Sequence, residues 1–485
     1  MSGSLPPPCD EAAGCSETVD TPERARGILI ATVLGSSLSF VMASIVNVAL
    51  PTMQADFGTD AAGLQWIVNA YLLPLAALVL LGGALGDRIG RRRVFLIGLA
   101  LFLAASIACL VSPSLATLLA ARFVQGVGAA LLAPNSLAII ADTFSGEERG
   151  RAVGTWAAAG AVAGALAPVA GGFFVDQLGW RWAFGIVVPA AVAALIVGWK
   201  AIPASRGARE NGSSLDLSGA VLATGALFAL VYALIILPER RWGDILVIGA
   251  GAAGLALAGG FLVVEHRAKE PMMPLGIFGS GSFSGISILT FLLYGALGGL
   301  LVLLPYVLIN GSGYSATRAG AALLPFPLVM GVLSRSMGGL ATRVGIRKAL
   351  TVGPVLVGLG FVLFAVLGGA DRSYWAAFLP GLLVMAIGMA ISVAPLTTAV
   401  MNAVGEAYVG VASGINNAIS RAAGLVATAL LGLVLVDPGA TRETFAKAFS
   451  SASIVGAALA FAAALASFVM VREEAVSGDV PARGN

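Results

Sequence analysis

Stretches of about 20 apolar residues, separated by short charged or Pro/Gly-rich loops, recur along this chain from Gly27 to Val471. A run of that length is what an α-helix needs to cross the hydrocarbon core of a bilayer, about 30 Å at a rise of 1.5 Å per residue. Hydrocarbon offers backbone N–H and C=O groups no partner, so only helices or closed barrels cross it. The runs are continuous rather than alternating, which excludes the barrel. The chain is 58% hydrophobic and 11% charged, with a mean hydropathy of +0.94, whereas soluble domains carry roughly 25% charge. It therefore reads as an all-α integral membrane protein.

Breaks at the loops place helices near 27–50, 63–86, 94–111, 115–141, 151–175, 181–200, 216–237, 244–264, 280–308, 316–338, 349–369, 375–399, 409–436 and 449–471, about fourteen crossings in all. The first run follows a polar tail containing Pro6-Pro7-Pro8 and is too long for the apolar region of a signal peptide, so it is read as a retained helix. About 19 of the 28 Lys and Arg fall on the side shared by both termini, about seven on the other, and Arg122 and Arg421 lie within crossings. The positive-inside rule then puts both termini in the cytoplasm. Cys9 and Cys15 lie in the tail and Cys109 in an apolar run, which suggests no disulfide or metal framework. The only histidine, His266, lies in a polar loop, which argues against zinc, haem or a histidine proton relay. No P-loop or nucleophile elbow is present, and no catalytic or metal-binding residue is assigned.

A polar hairpin, Gly83-Ala84-Leu85-Gly86-Asp87-Arg88-Ile89-Gly90-Arg91-Arg92-Arg93, returns about 255 residues later as Gly338-Gly339-Leu340-Ala341-Thr342-Arg343-Val344-Gly345-Ile346-Arg347-Lys348. Ala133-Pro134 likewise returns as Ala394-Pro395, and Gly154 as Gly414. Six helices need only about 190 residues, so this offset leaves room for two more between duplicated halves. The expected division is a cytoplasmic tail over 1–26, a six-helix bundle over 27–200, two inserted helices with their loops over 201–279, a second six-helix bundle over 280–471, and a tail over 472–485.

At these residues the chain resembles the major facilitator superfamily, and within it the fourteen-helix drug:proton antiporter family (DHA2). The hairpin from Gly83 to Arg93 is similar to the family's loop between helices 2 and 3. Leu118 with Arg122-Phe123-Val124-Gln125-Gly126-Val127-Gly128-Ala129-Ala130 is similar to its helix 4 signature. Ala167-Pro168-Val169-Ala170-Gly171-Gly172 is similar to its antiporter signature, with Ala167 replacing a glycine; Trp180-Arg181-Trp182 and Glu270-Pro271-Met272-Met273-Pro274-Leu275 are similar to further landmarks. The resemblance implies alternating access, export of small amphipathic or toxic compounds, exchange against protons, a bacterial inner-membrane location and a monomer with no cofactor beyond the proton gradient. It implies no nucleic-acid partner.

The motifs suit a moving bundle. Gly83 and Gly90 permit a tight turn, and Asp87 can accept from arginines or cap a helix end, so Asp87, Arg88, Gly90 and Arg91 form a candidate latch. Alternatively these arginines only fix topology. In the second copy Thr342 replaces the acid, which shifts the load to the first. Gly160, Gly164, Pro168, Gly171 and Gly172 let another backbone come close, either as a static seam or as a gating hinge.

Arg122 is the sharpest residue, because a guanidinium at the middle of a crossing costs about 2.5–3.5 kcal/mol on insertion scales. In the resembled family, helix 1 carries an aspartate implicated in proton coupling; here Met42 holds that place, and no Asp or Glu lies near the middle of any expected helix. Three readings stay open: Arg122 pairs with backbone carbonyls, Asn47 or Gln125; a border acid such as Asp142 carries the proton; or Arg122 attracts an anionic substrate. Candidate substrate contacts are Asn47, Trp66, Asn69, Tyr71, Gln125, Asn135, Tyr294, Tyr306, Asn416, Asn417 and Arg421. The rival functions are a uniporter or organic-anion carrier, and a membrane scaffold or sensor.

Overall fold

The computed structural model describes residues 22–203, 216–268, 271–368, 373–405, 408–435 and 439–472; the side chains at 217, 335, 336 and 338–343 also lie outside the description. The expected terminal tails therefore fall largely outside the described residues. The helices are α1 (Pro22–Phe57), α2 (Ala61–Ile89), α3 (Arg91–Leu110), α4 (Leu115–Thr143), α5 (Gly146–Leu178), α6 (Trp182–Gly185), α7 (Val187–Ala201), α8 (Leu217–Arg240) and α9 (Ile245–Arg267). They continue as α10 (Gly281–Tyr306), α11 (Ala316–Ala322), α12 (Pro325–Val344), α13 (Ile346–Leu367), α14 (Tyr374–Ala377), α15 (Leu379–Asn402), α16 (Val409–Leu430) and α17 (Arg442–Met470).

Several helices start earlier than their apolar runs. Pro22 opens α1 with Glu23 in the first turn, Glu147 and Glu148 sit in the first turn of α5, and Glu443 follows the Thr441 cap of α17. Acids favour the positive end of the helix dipole, so charge extends these helices where hydropathy alone would stop. Asp60 caps α2 by accepting from Gly63 N at 2.8 Å, and Ser114 with Thr117 forms a capping box on α4. Among the described residues, 13 helical segments are long and apolar enough to cross a membrane. α16 is long enough as well, but Asn416, Asn417 and Arg421 put polar groups in its middle.

Helix pairings repeat between the two halves. The neighbours α1–α5, α1–α7, α2–α4, α3–α4 and α3–α7 recur as α10–α16, α10–α17, α12–α15, α13–α15 and α13–α17. The hairpin repeats at atomic detail too. Gly90 and Gly345 both have φ 103° with ψ 124° and 140°, a conformation closed to residues with a Cβ. The inserted helices α8 and α9 pack on each other, and α8 also packs on α2 and α16, one from each half. Glu265, near the end of α9, accepts from Met273 N at 3.0 Å and ties the inserted pair to the strap that enters α10.

Candidate substrate path and gate

The hydrogen bonds between the halves among the described residues lie in the part of each helix farthest from the chain termini. On α1, Asn47 Nδ2 donates to Leu301 O at 3.2 Å, and Gln54 Oε1 accepts from Tyr306 Oη at 3.1 Å. On α2, Gln65 Nε2 donates to Ala429 O at 2.9 Å and Thr428 O at 3.3 Å of α16. On α5, Asp176 accepts from Ala316 N at 3.0 Å, Thr317 N at 2.9 Å and Thr317 Oγ1 at 2.6 Å, holding the start of α11. Glycines bring those two helices together: a methyl group at Gly172 would collide with the Ala316 carbonyl, and one at Gly320 with the Pro168 carbonyl. Gly171 faces inward instead, against Ile45 of α1.

At the other end, Arg91 donates to Asp87 Oδ1 from Nε at 3.0 Å and Nη2 at 2.9 Å, to Ala138 O at 3.2 Å, and to Asp142. One arginine thus fastens the α2–α3 hairpin to the end of α4. Asp142 is a partner of this knot, and Arg88 is exposed. After Gly345 the second copy places Ile346 where Arg91 follows Gly90, and the side chain of Thr342 lies outside the described residues. The cation at the centre of the knot therefore has no counterpart in the second copy.

In the first bundle Arg122 is 1% exposed. Its Nε donates to Ile67 O at 3.1 Å and its Nη1 to Gln125 Oε1 at 2.7 Å, while Gln125 Nε2 donates to Ser106 Oγ at 2.8 Å. The guanidinium lies 4.4 Å from the centre of the Tyr71 ring and 5.7 Å from that of Phe184. Tyr71 Oη donates to Ser39 O at 3.3 Å. The structure so brings Arg122, Gln125 and Tyr71 into one cluster held by neutral groups. Met42 is buried in the surrounding apolar core at 0% exposure.

Other candidates are dispersed. Asn135 donates to Gly82 O at 2.9 Å and packs α2 on α4. Asn416 accepts from Thr290 Oγ1 at 2.7 Å and packs α10 on α16. Trp66 stands against Phe228 and Tyr232 of α8, with ring centres 5.8 and 6.3 Å away, on the side of the inserted pair. Asn69 is fully buried with neither amide atom hydrogen-bonded among the described residues, and Tyr294 is half-buried on α10. Arg421 Nε donates to Asn417 Oδ1 at 3.1 Å on an accessible face of α16.

Four residues outside the sequence-based set carry joints: Gln54, Gln65, Asp176 and Glu265. The signal for Asp176 was its place one turn after Gly172, at the end of a close-packing helix. Glu265 is the one acid among the described buried polar groups.

The family model described as Major Facilitator Superfamily matches residues 32–428. The multidrug resistance protein Stp of Mycobacterium tuberculosis is 36% identical over 411 residues, covering 84% of this chain and 75% of that protein. The tetracenomycin C resistance and export protein of Streptomyces glaucescens is 33% identical, covering 88% and 79%, and a methylenomycin A resistance protein of Bacillus subtilis 34%, covering 86% and 88%. Among solved structures, a POT family transporter in complex with 5-aminolevulinic acid superposes with a TM-score of 0.70 at 16% identity, covering 93% of this chain and 97% of that one. A bacterial homologue of the human lysosomal transporter Spinster gives 0.68 at 16%, covering 93% and 98%. At such identities the structural likeness speaks for the fold alone.

Proposed function

The chain belongs to the major facilitator superfamily, and on that premise we propose that it is a proton-driven exporter of small amphipathic compounds in a bacterial plasma membrane. It is a multi-pass membrane transporter of the drug-efflux class rather than an enzyme. The finer reading is a DHA2-type carrier, working as a single chain, with α16 as the fourteenth crossing and both termini cytoplasmic. The Lys/Arg bias supports that orientation. With it, the ties at Asn47, Gln54, Gln65 and Asp176 close the outer end, and the state described is one that faces inward.

The observation that carries this reading is the Asp176 joint. A carboxylate of one half that holds a helix of the other by three hydrogen bonds must release it when the carrier opens outward. Export is tested in an efflux-deficient host with puromycin, tetracenomycin C and methylenomycin A as the panel. Coupling is tested by adding an exported member to proteoliposomes under an imposed pH gradient. Exchange predicts proton movement on addition of the compound. Flux that ignores the gradient would refute the coupling and establish a uniporter. That second reading draws on Met42, which puts an apolar side chain where the resembled family carries its helix 1 acid.

A further inference from the structure

We infer that the central path selects organic anions, and that Arg421 held by Asn417 is the point where the anionic group binds. This rests on the exporter reading and names its substrate class. Two arginines inside the crossings, Arg122 and Arg421, have described side chains that are differently occupied. Arg122 spends its donors on Ile67 O and Gln125 and its faces on Tyr71 and Phe184, at 1% exposure. It is a packed group closed to an entering ligand. Arg421 has one protein partner among the described residues, Asn417 Oδ1 on its Nε, and no carboxylate pairs with it.

The position of Arg421 is that of a cavity wall. α16 turns Asn416, Gly424 and Ala427 toward α10, and Gly414, Leu425 and Ala429 toward α2 and α8. Between those two faces run Gly410, Ser413, Asn417 and Arg421, spaced for one side of a helix, and each is at least partly accessible. Because the faces on either side of it pack on α10 and on α2 with α8, this accessible side looks into the molecule rather than out at lipid.

Charge decides the class of ligand. The one acid among the described buried polar groups is Glu265, out on α9. Two guanidinium charges, with no acid among the described buried groups other than Glu265, raise the potential of the path, which favours an entering anion and penalises a cation. Asn417 fixes Nε, which leaves the planar Nη edge presented for two parallel bonds to a carboxylate or sulfonate. The apolar crossings around it suit an aromatic or aliphatic body.

Fluorescein and rhodamine 123 share a xanthene frame and differ in the sign of their charge. Binding of each to the purified full-length chain is read by fluorescence anisotropy, and export of each from an efflux-deficient host beside the panel above. The wild type should bind fluorescein at least tenfold more tightly than rhodamine 123. Arg421→Gln should erase that preference, Arg421→Lys should retain part of it, and Asn417→Leu should weaken fluorescein binding several-fold. Size exclusion and a melting curve on each variant separate lost binding from lost folding, and Asn417→Leu and Arg421→Lys still judge the inference if Arg421→Gln does not fold. Preference for rhodamine 123, binding of neither dye, or fluorescein binding indifferent to all three substitutions would overturn it. Export of cationic compounds alone removes the anion inference and leaves the exporter; absence of all export removes the exporter, while the binding ratio still judges the anion site.

Discussion

Two joints tie the halves together at the end of the bundle away from the hairpin at Gly90, and they occupy equivalent places: α5 against α11, and α16 against α2, each pairing the fifth helix of one half with the second helix of the other. Their chemistry differs. The α5–α11 joint is held by the Asp176 carboxylate and by backbone approach at Gly172 and Gly320. The α2–α16 joint is held by one neutral amide, Gln65, beside a cavity of about 10 Å³ lined by Gln65, Tyr306 and Thr428. Against that weaker joint the chain lays α8, whose Val231 and Ile235 bury with Leu73 and Ala76 of α2 and Leu425 and Ala429 of α16. A bond to a charged acceptor contributes more than a neutral one, about 1.5–3 against 0.5–1.5 kcal/mol, and the accessible Asp176 belongs at the low end of its range. The inserted pair thus reinforces the side that lacks a charge, so a duplicated architecture distributes its closure unequally.

The comparison breaks most sharply at Gly320. Gly320→Leu drives a side chain into the Pro168 carbonyl, where neither backbone can yield without separating the helices. Export at matched protein level should fall at least tenfold; export near wild type would show that this approach is not needed for closure. Asp176→Asn removes the charge and keeps one acceptor. Labelling of Thr317→Cys by a membrane-impermeant maleimide should then rise several-fold, and an unchanged rate would show that the carboxylate does not hold the joint. Gln65→Leu removes two neutral bonds and, with α8 still in place, should raise labelling of a cysteine at Ala429 about twofold, less than the change at Asp176. A larger effect at Gln65 than at Asp176 would invert the ranking of the joints. Trp66→Ala loosens α8 through its contacts with Phe228 and Tyr232. It should lower the melting temperature by a few degrees while export stays within about threefold, and combined with Gln65→Leu it should lower export by more than the product of the two single effects.

The hairpin was legible because its glycines are dictated by backbone conformation: Gly90 and Gly345 adopt the same positive φ in both copies, and local sequence is enough to demand that. Arg122 was legible as a buried charge, but its choice of Ile67 O, Gln125 and Tyr71 depends on how α2, α3 and α4 meet. Trp66 shows the limit. Helical spacing places it on a face of α2 without saying that α8, some 160 residues later, covers that face. Asp176 resembled any interfacial acid at a helix end until α11 was folded against it.

The sequence by itself determined what hydrocarbon and local backbone geometry enforce: helices as the crossing elements, a glycine-turned hairpin at Gly90 and again at Gly345, and the lack of an acid at the Met42 position. These follow from solvation and from local backbone geometry, which act on each segment independently. The tertiary structure decided which polar groups are spent and which remain free, as with Arg122 and Arg421, and which of two equivalent joints carries the charge. Those outcomes depend on which helix arrives opposite a given face, and that is settled by packing among segments far apart in the chain.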